Sequence, residues 1–325
     1  MEDVKEKWSH KINEVTIGAT KEDGGTRKTT VTVGGETTLP FLDFEGSIPH
    51  RPVIALEVLD FVPEEWPDTL KEPYRDVMDD PAKWAKKCEE DYGAELICFK
   101  LKSLHPDWGD SSPEEAVEKV KAVLEATTVP LIIWGSDDID KDNLVFPLCS
   151  QAAAGENCLI GFATEDNYKT LTACCLADKH KIVAQSPIDI NIAKQVNIMI
   201  SEMGFDLKDI VIDPTTGGLG YGIEYTYSIM ERARLAALGG DKMMAMPMII
   251  HAGHEGWRAK ESKALQDEYP QWGDEKVRGP LWEASTASIL LQAGADILIM
   301  RHPQAIDEIR KQIDELMGRK SSPAK

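Results

Sequence analysis

Residues 181–213 read KIVAQSPIDINIAKQVNIMISEMGFDLKDIVID. A short apolar run, KIVAQS at 181–186, leads into an amphipathic stretch of helical length, and a second apolar run, DIVID at 209–213, follows. Ser186-Pro187-Ile188-Asp189 offers a helix start, with Pro in the first turn. Gly204 offers the glycine stop expected just past a helix end. Both apolar runs are continuous rather than alternating, the pattern of strands covered on both faces.

The same unit recurs along the chain from residue 52. The other strand candidates are PVIALEV (52–58), AELICFKL (94–101), VPLIIWG (129–135), CLIGF (158–162), PMIIHA (247–252) and ADILIM (295–300). Helix starts are marked by Asp80-Pro81, by the capping box Ser112-Pro113-Glu114-Glu115 and by His302-Pro303. Stops are marked by Gly93, Gly239-Gly240 and Gly294. Eight strands alternating with helices over about 265 residues predict a closed (β/α)8 TIM barrel. An open doubly wound sheet is the alternative, but no G-x-G-x-x-G follows the first strand.

The barrel is expected over residues 51–317, with a different element before it. Within residues 1–50, EVTIGAT and TTVTV alternate and flank KEDGGTRK, which predicts a β-hairpin turning at Gly24-Gly25. It either plugs the lower end of the barrel or pairs with a neighbouring chain. Residues 318–325, GRKSSPAK, read as a flexible tail.

Thirty-six Lys and Arg against 56 Asp and Glu give a formal net charge of -20. Such a surface repels nucleic acid and anionic membranes. No apolar stretch approaches a membrane span, and MEDVKEKWSH lacks the apolar core of a signal peptide, so a cytoplasmic protein is expected. The six cysteines show no C-x-x-C spacing and read as buried thiols of a reducing compartment.

In a barrel the chemistry sits on the loops after the strands. Residues 59–80 and 253–277 form two long loops rich in aromatic residues, among them Phe61, Trp66, Tyr74, Trp257, Tyr269 and Trp272. They suit either a docking surface or packing under their own loops. After the sixth strand comes IDPTTGGLGYGIEYT (212–226), with four glycines in six positions. No Lys follows them, so a phosphate cradle is not expected. A plain turn and a flat backbone for close ligand approach both remain, with Asp213, Thr215 and Thr216 as polar contacts. His251-Ala252-Gly253-His254-Glu255 lacks a third ligand, and its glycine is expected to break helical presentation, so it reads as hydrogen bonding at the mouth rather than metal binding. Asp138-x-Asp140-x-Asp142 misses the glycine and glutamate of a calcium loop and reads as helix capping. Asp178-Lys179-His180 lacks the later glycine of a cobalt-ligating box and lies on the lower face.

Taken whole, the chain resembles the small, delta-type subunit of the corrinoid iron–sulfur protein of the anaerobic acetyl-CoA pathway, the acetyl-CoA decarbonylase/synthase delta family. The resemblance rests on PFLDFEGSIPHRPVIALEV (40–58), LKSLHPDWGDSSPEEA (101–116), VIDPTTGGLGYGIEYTYSIMERAR (211–234), MIIHAGHEGWRAKES (248–262) and GPLWEASTA (279–287). It implies a TIM barrel related to pterin-dependent methyltransferases. It implies a heterodimer with a large subunit that carries a [4Fe–4S] cluster, with cobalamin lying between that subunit and the top of this barrel. Methyl groups would arrive from methyltetrahydrofolate through a methyltransferase and leave to acetyl-CoA synthase. This chain would then be a non-catalytic subunit with no metal of its own. No motif transfers the corrin contacts, so candidates are placed by position at the strand ends: Ser136, Gln185, Asp213, Thr215, Thr216, Gly217, Gly218, His251, Gly253 and Arg301. A second reading makes the chain itself a pterin-dependent methyltransferase. Asp213-Pro214 begins like the D-P-G-x-G-x-G-K loop of that family, but Thr215 replaces the glycine and no Lys ends it.

Overall fold

All eight expected core strands form in a computed structural model, which describes residues 5–318. The flexible tail expected at 318–325 lies, from residue 319 on, outside the described residues. An antiparallel pair comes first, β1 (Glu14–Ile17) with β2 (Val31–Gly34). The barrel strands are β3 (Val53–Leu59), β4 (Leu96–Lys100), β5 (Leu131–Trp134), β6 (Leu159–Ala163), β7 (Lys181–Gln185), β8 (Ile210–Asp213), β9 (Ile249–Ile250) and β10 (Ile297–Met300). Their pairing is parallel and runs β8-β7-β6-β5-β4-β3-β10-β9. The ring closes where Ile212 bridges to Met248 and its N–H donates to the Pro247 carbonyl at 2.9 Å. The ninth strand is shorter than the expected 247–252. Pro247 has no N–H to donate, and Met248 gives its own to the Asp296 carboxylate at 2.7 Å.

The continuous apolar runs hide a period of two. Ile54, Leu56, Val58, Ile97, Phe99, Ile133, Ile182, Ile212, Ile250, Leu298 and Met300 pack outward in the core shared with the helices. Val53, Ala55, Leu96, Cys98, Ile132, Trp134, Val183, Val211, Ile249, Ile297 and Ile299 pack inward in a second, separate core. That inner core also contains Val15, Ile17, Val31 and Val33. The hairpin therefore plugs the lower end of the barrel.

Its connection is not the tight Gly24-Gly25 turn expected from sequence. Pairing runs only from Glu14↔Gly34 to Ile17↔Val31, and residues 18–30 leave the ladder. They do so to bury Arg27, whose guanidinium donates to Glu156 at 2.8 Å and to the carbonyls of Leu124 and Thr127 at 2.6 and 2.9 Å. A second clamp lies nearby. Buried Arg234 is held between Glu36 of the extension at 3.2 Å and Asp296 at the foot of β10 at 2.8 Å. Burial and the neighbouring Asp296 push the Glu36 carboxyl up from its ordinary range.

The helices are α1 (Asp68–Lys71), α2 (Pro81–Glu90), α3 (Pro113–Ala126), α4 (Ile139–Ala152), α5 (Tyr168–Asp178) and α6 (Ile190–Glu202), then α7 (Ile223–Leu238), α8 (Ala252–Arg258), α9 (Lys260–Lys263), α10 (Glu275–Gln292) and α11 (Pro303–Leu316). Asp80, Ser112 and His302 cap α2, α3 and α11 as the sequence suggests. Ser186 does not cap α6. The chain first makes a turn with Ile188 at φ 55°, its N–H shared by the Ser186 and Pro214 carbonyls, and Asp189 then caps the helix. The two long loops are not bare, since they hold α1, α8 and α9. Trp66, Tyr74 and Trp257 are buried beneath them.

Ile17 is fully buried in the plug. Ile17→Ala is expected to destabilise the protein by about 2–5 kcal/mol, the range for a large-to-small change in a packed core. Urea unfolding measures it, and a loss below 1 kcal/mol on that same ~2–5 scale would mean the plug is loosely seated.

Candidate functional site at the barrel mouth

The apolar lumen ends in a polar ring. On every strand but β6, where Gly161 follows Leu159, the inward-facing run ends in a polar or aromatic residue: Glu57 after Val53 and Ala55, Lys100 after Leu96 and Cys98, and Trp134 after Ile132. Gln185, Asp213, His251 and Arg301 take the corresponding places at the ends of β7, β8, β9 and β10. These side chains line two recesses of about 210 Å³ each. The outer recess is walled by Glu57, Phe61, Trp66, Lys102, Trp108, Trp257 and Arg301. The inner one is walled by Trp134, Asp137, Gln185, Asp213, Thr215, Thr216, His251 and Glu255. Lys100 and His254 line both.

Opposite charges are paired around the ring. Arg301 makes a two-pronged contact with Glu57, at 2.7 and 2.9 Å, and lies over the Trp66 ring at 4.7 Å. Burial alone would push the Glu57 carboxyl up. The Arg301 charge and hydrogen bonds, with Lys100 beyond, outweigh it and hold Glu57 well below the usual range. Asp137, exposed at the rim, is 3.4 Å from Lys100 and 2.8 Å from Lys102. Partial loss of hydration against the wall opposes its ionisation, but the two lysines hold it at about 2. Glu255 is paired with His254 at 3.2 Å and Arg258 at 2.9 Å.

Asp213 and His251 are different. Asp213 accepts from Gln185 Nε2 at 2.8 Å and from the Thr215 N–H at 2.9 Å, with no cation among the described residues in contact. Burial pushes its carboxyl up to about 6, against those two hydrogen bonds. The His251 backbone N–H donates to Thr216 Oγ1 at 2.9 Å, and its ring meets the Trp134 ring edge-on at 4.1 Å. Among the described residues neither ring nitrogen has a partner. Burial, with Lys100 nearby, lowers its pKa to about 3, so the ring is neutral.

Of the residues expected from sequence, Gln185, Asp213, Thr215, Thr216 and His251 come together in the inner recess, and Arg301 lies in the outer one. Ser136 stands behind the wall, its Oγ and N–H both donating to Asp142 at 2.8 Å. Gly217 and Gly218 are buried within their own turn. A Cβ on Gly217 would lie 2.4 Å from the Gly222 carbonyl oxygen, and one on Gly218 would lie 3.0 Å from that of Glu255. Gly253 does not break helical presentation, because it sits inside α8. There it allows close approach to β10, since a Cβ would meet the Arg301 nitrogen at 2.8 Å. Sequence reasoning missed Glu57, Lys100 and Trp134 as site residues. The available signal was a charge at an inward position of an otherwise apolar strand.

Other motifs resolve simply. His180 is a satisfied core histidine, accepting from the Cys158 N–H at 3.1 Å and bonded to the Ser150 carbonyl at 2.9 Å. Asp138 caps α4, whereas Asp142 is internal. Among the described residues no group of three or more His, Cys, Asp or Glu is placed to hold a metal ion, and no helix is long and apolar enough to cross a membrane.

In fold the chain is a TIM barrel of the kind found in dihydropteroate synthases. It is similar to dihydropteroate synthase from Xanthomonas albilineans with 4-aminobenzoic acid (TM-score 0.54, 14% identity, 86% of this chain and 99% of that one). It is also similar to the enzyme from Stenotrophomonas maltophilia with active-site-bound imidazole (TM-score 0.52, 16% identity, 83% and 95%). At such identity the likeness concerns fold alone. The chain belongs to the CO dehydrogenase/acetyl-CoA synthase delta subunit family, whose model matches residues 14–313. It is 36% identical over 326 residues to the acetyl-CoA decarbonylase/synthase complex subunit delta of Archaeoglobus fulgidus, covering 98% of this chain and 72% of that one. The Methanopyrus kandleri subunit delta is 36% identical over 304 residues, covering 93% and 74%.

Two predictions follow from the ring's electrostatics. The Asp213 carboxyl has a folded pKa of about 6 against an ordinary 3.8, so the native state binds more protons than the unfolded chain between those values. Stability contributed by this group is therefore present below pH 4 and lost as pH rises to 6, on the order of 3 kcal/mol in all. Asp213→Asn should gain stability over the parent across that window and hold a constant advantage above it; a pH-independent difference in urea unfolding would refute the assignment. Arg301→Ala should cost about 3–5 kcal/mol by stranding Glu57, while Glu57→Leu combined with Arg301→Met recovers most of it.

Proposed function

We propose that this chain is a non-catalytic subunit of a heterodimeric corrinoid iron–sulfur methyl carrier, its barrel mouth covering a corrinoid held mainly by a larger subunit. Family membership supports the pathway. The observation that carries the covering role is the state of the mouth: Glu57 is paired with Arg301, Asp137 with Lys100 and Lys102, and Glu255 with Arg258, while the rim presents apolar side chains to solvent. Trp108 is 39% exposed and Tyr221 56%, on the loops after β4 and β8, and Val62 and Leu265 stand exposed after β3 and β9. Aromatic side chains around a concave face whose charges are mostly paired suit a large, flat, mostly uncharged partner surface.

A corrinoid, when bound, supplies a cobalt able to carry a methyl group. The residues present fit such a group. The unpartnered nitrogens of His251 and the carboxylate of Asp213 offer hydrogen bonds to the amide-bearing edge of a corrin. Thr215 and Thr216 add hydroxyl oxygens, and Trp134 lines the recess beside them. The [4Fe–4S] cluster is assigned to the larger subunit, since the six cysteines of this chain are each buried in its core. Methyl groups would come from methyltetrahydrofolate through its corrinoid methyltransferase and pass to acetyl-CoA synthase, in the cytoplasm.

Co-expression with the larger subunit should yield a complex with corrinoid and iron–sulfur absorbance, and the chain alone should retain no cobalamin. Trp108→Asp and Tyr221→Asp should each weaken corrinoid retention about tenfold, the loss of one aromatic anchor, with unchanged circular dichroism. A lone chain that binds cobalamin tightly and turns over methyl groups overturns the proposal.

A further inference from the structure

We propose that the outer face of α4 and α5, on the flank of the barrel, is a two-fold docking surface for a second copy of this chain. A solvent-facing helix ordinarily carries charges along its outer side. These two do not. No charged residue falls between Asp142 and Glu156 or between Lys169 and Asp178, in a chain of which 28% is charged. The outward positions are apolar instead, Leu144 and Leu148 on α4 and Ala173, Leu176 and Ala177 on α5. Leu144 is 63% exposed, Leu148 41% and Leu176 43%. A single exposed leucine is ordinary, but three on adjoining helices with no charge among them form a patch. The two helices make one continuous surface, since Ser150 of α4 donates to the Asp178 carboxylate of α5 at 2.5 Å.

Charge decides the occupant. A net charge of -20 drives copies of the chain apart, so a face that joins them has to be locally balanced and complementary to itself. The charges flanking α5 meet both conditions. Glu165 and Asp166 stand before the helix, Lys169 in its first turn, and Asp178 and Lys179 at its end. Asp166 and Lys179 lie at nearly equal separations on either side of Ala173, and so do Lys169 and Asp178. A two-fold axis crossing α4 and α5 at right angles lays each helix antiparallel on its own counterpart. Ala173 then meets Ala173, the Asp166 end of one α5 meets the Lys179 end of the other, and Leu144 faces Leu148. Among the described residues Glu165, Asp166, Lys169 and Lys179 make no ion pair within the chain, which leaves them for a second copy. Alanine at 173 and 177 lets the two helices approach closely. Helices of 14 and 11 residues side by side present on the order of 400 Å² in projection. That is about half of the roughly 800 Å² each partner contributes to a standard interface, and the charged loops at the helix ends add to it. The expected dimer is therefore a modest one, with a dissociation constant on the order of micromolar.

This surface does not depend on what the barrel mouth covers, and its test needs no corrinoid. Sedimentation velocity on the full chain, from about 1 to 100 μM, should show a monomer–dimer equilibrium. Leu148→Glu, at an exposed position, should weaken it at least about tenfold with unchanged circular dichroism. Charge reversal checks the antiparallel arrangement. Asp166→Lys alone sets lysine against lysine across the dyad, and Lys179→Glu alone sets acid against acid, so each should weaken self-association. A mixture of the two variants restores both attractive contacts and should dimerise better than either variant by itself. A chain that stays monomeric at about 100 μM, a dimer indifferent to Leu148→Glu, or a mixture that associates no better than its components would overturn the inference. So would release of the larger subunit from the co-expressed complex by Leu148→Glu, which would assign the face to that subunit.

Discussion

An ion pair buried at the top of an apolar lumen constrains everything above it. Glu57 and Arg301 stand on adjacent strands, β3 and the end of β10, and neither is accessible enough to be solvated alone. Taking two charges out of water is costly, and their mutual attraction offsets that cost only when geometry is good and the remaining donors are used. Here the geometry is two-pronged, and Trp66 covers the exposed face of the guanidinium. The backbone carrying Arg301 is fixed as well. Its N–H donates to Glu283 of α10, which also takes the Trp257 indole N–H and the His302 N–H. One carboxylate on a helix thus ties α8, β10 and the start of α11 into the wall of the mouth. Trp66 and Trp257, whose placement decides the outer recess, are set by this network rather than by a ligand.

The barrel is closed from below as firmly as it is organised from above. The hairpin supplies four β-branched side chains to the inner core, so the lumen is a packed interior rather than a channel. Anything that meets this protein through the barrel does so at the strands' C-terminal ends. The two recesses there differ in character. The outer one is walled by aromatic rings and a neutralised ion pair, the inner one by hydrogen-bonding groups with unused capacity.

Much of the fold was legible because strand–helix alternation, proline starts and glycine stops are local signals. Asp80, Ser112 and His302 cap helices for reasons contained in three or four consecutive residues. The failures are non-local. Ser186 lost its cap to Asp189 because the Pro214 carbonyl, distant in sequence, draws the Ile188 N–H into a turn. The Gly24-Gly25 turn lost its tight hairpin because Arg27 reaches the ends of α3 and the loop before β6. In the site, Asp213, Thr215, Thr216 and His251 were readable from their place after strands. Glu57 and Lys100 were not, since a charge within VIALEVL or LICFK makes sense only once the opposite strand's residue is known to face it. Gly217 and Gly218 read as open backbone, yet their missing side chains make room for their own turn and for α8.

The clamp of Arg234 between Glu36 and Asp296 has a consequence in time. Glu36 leaves the ribosome roughly 260 residues before Asp296, which at 5–20 residues per second is a wait of roughly 13 to 50 s. Arg234 arrives in between, with only one of its two acidic partners yet made. The plug, made before the strands that enclose it, is therefore among the last pieces to find its final seat. Until then its valines and isoleucine lack the lumen that covers them in the finished barrel.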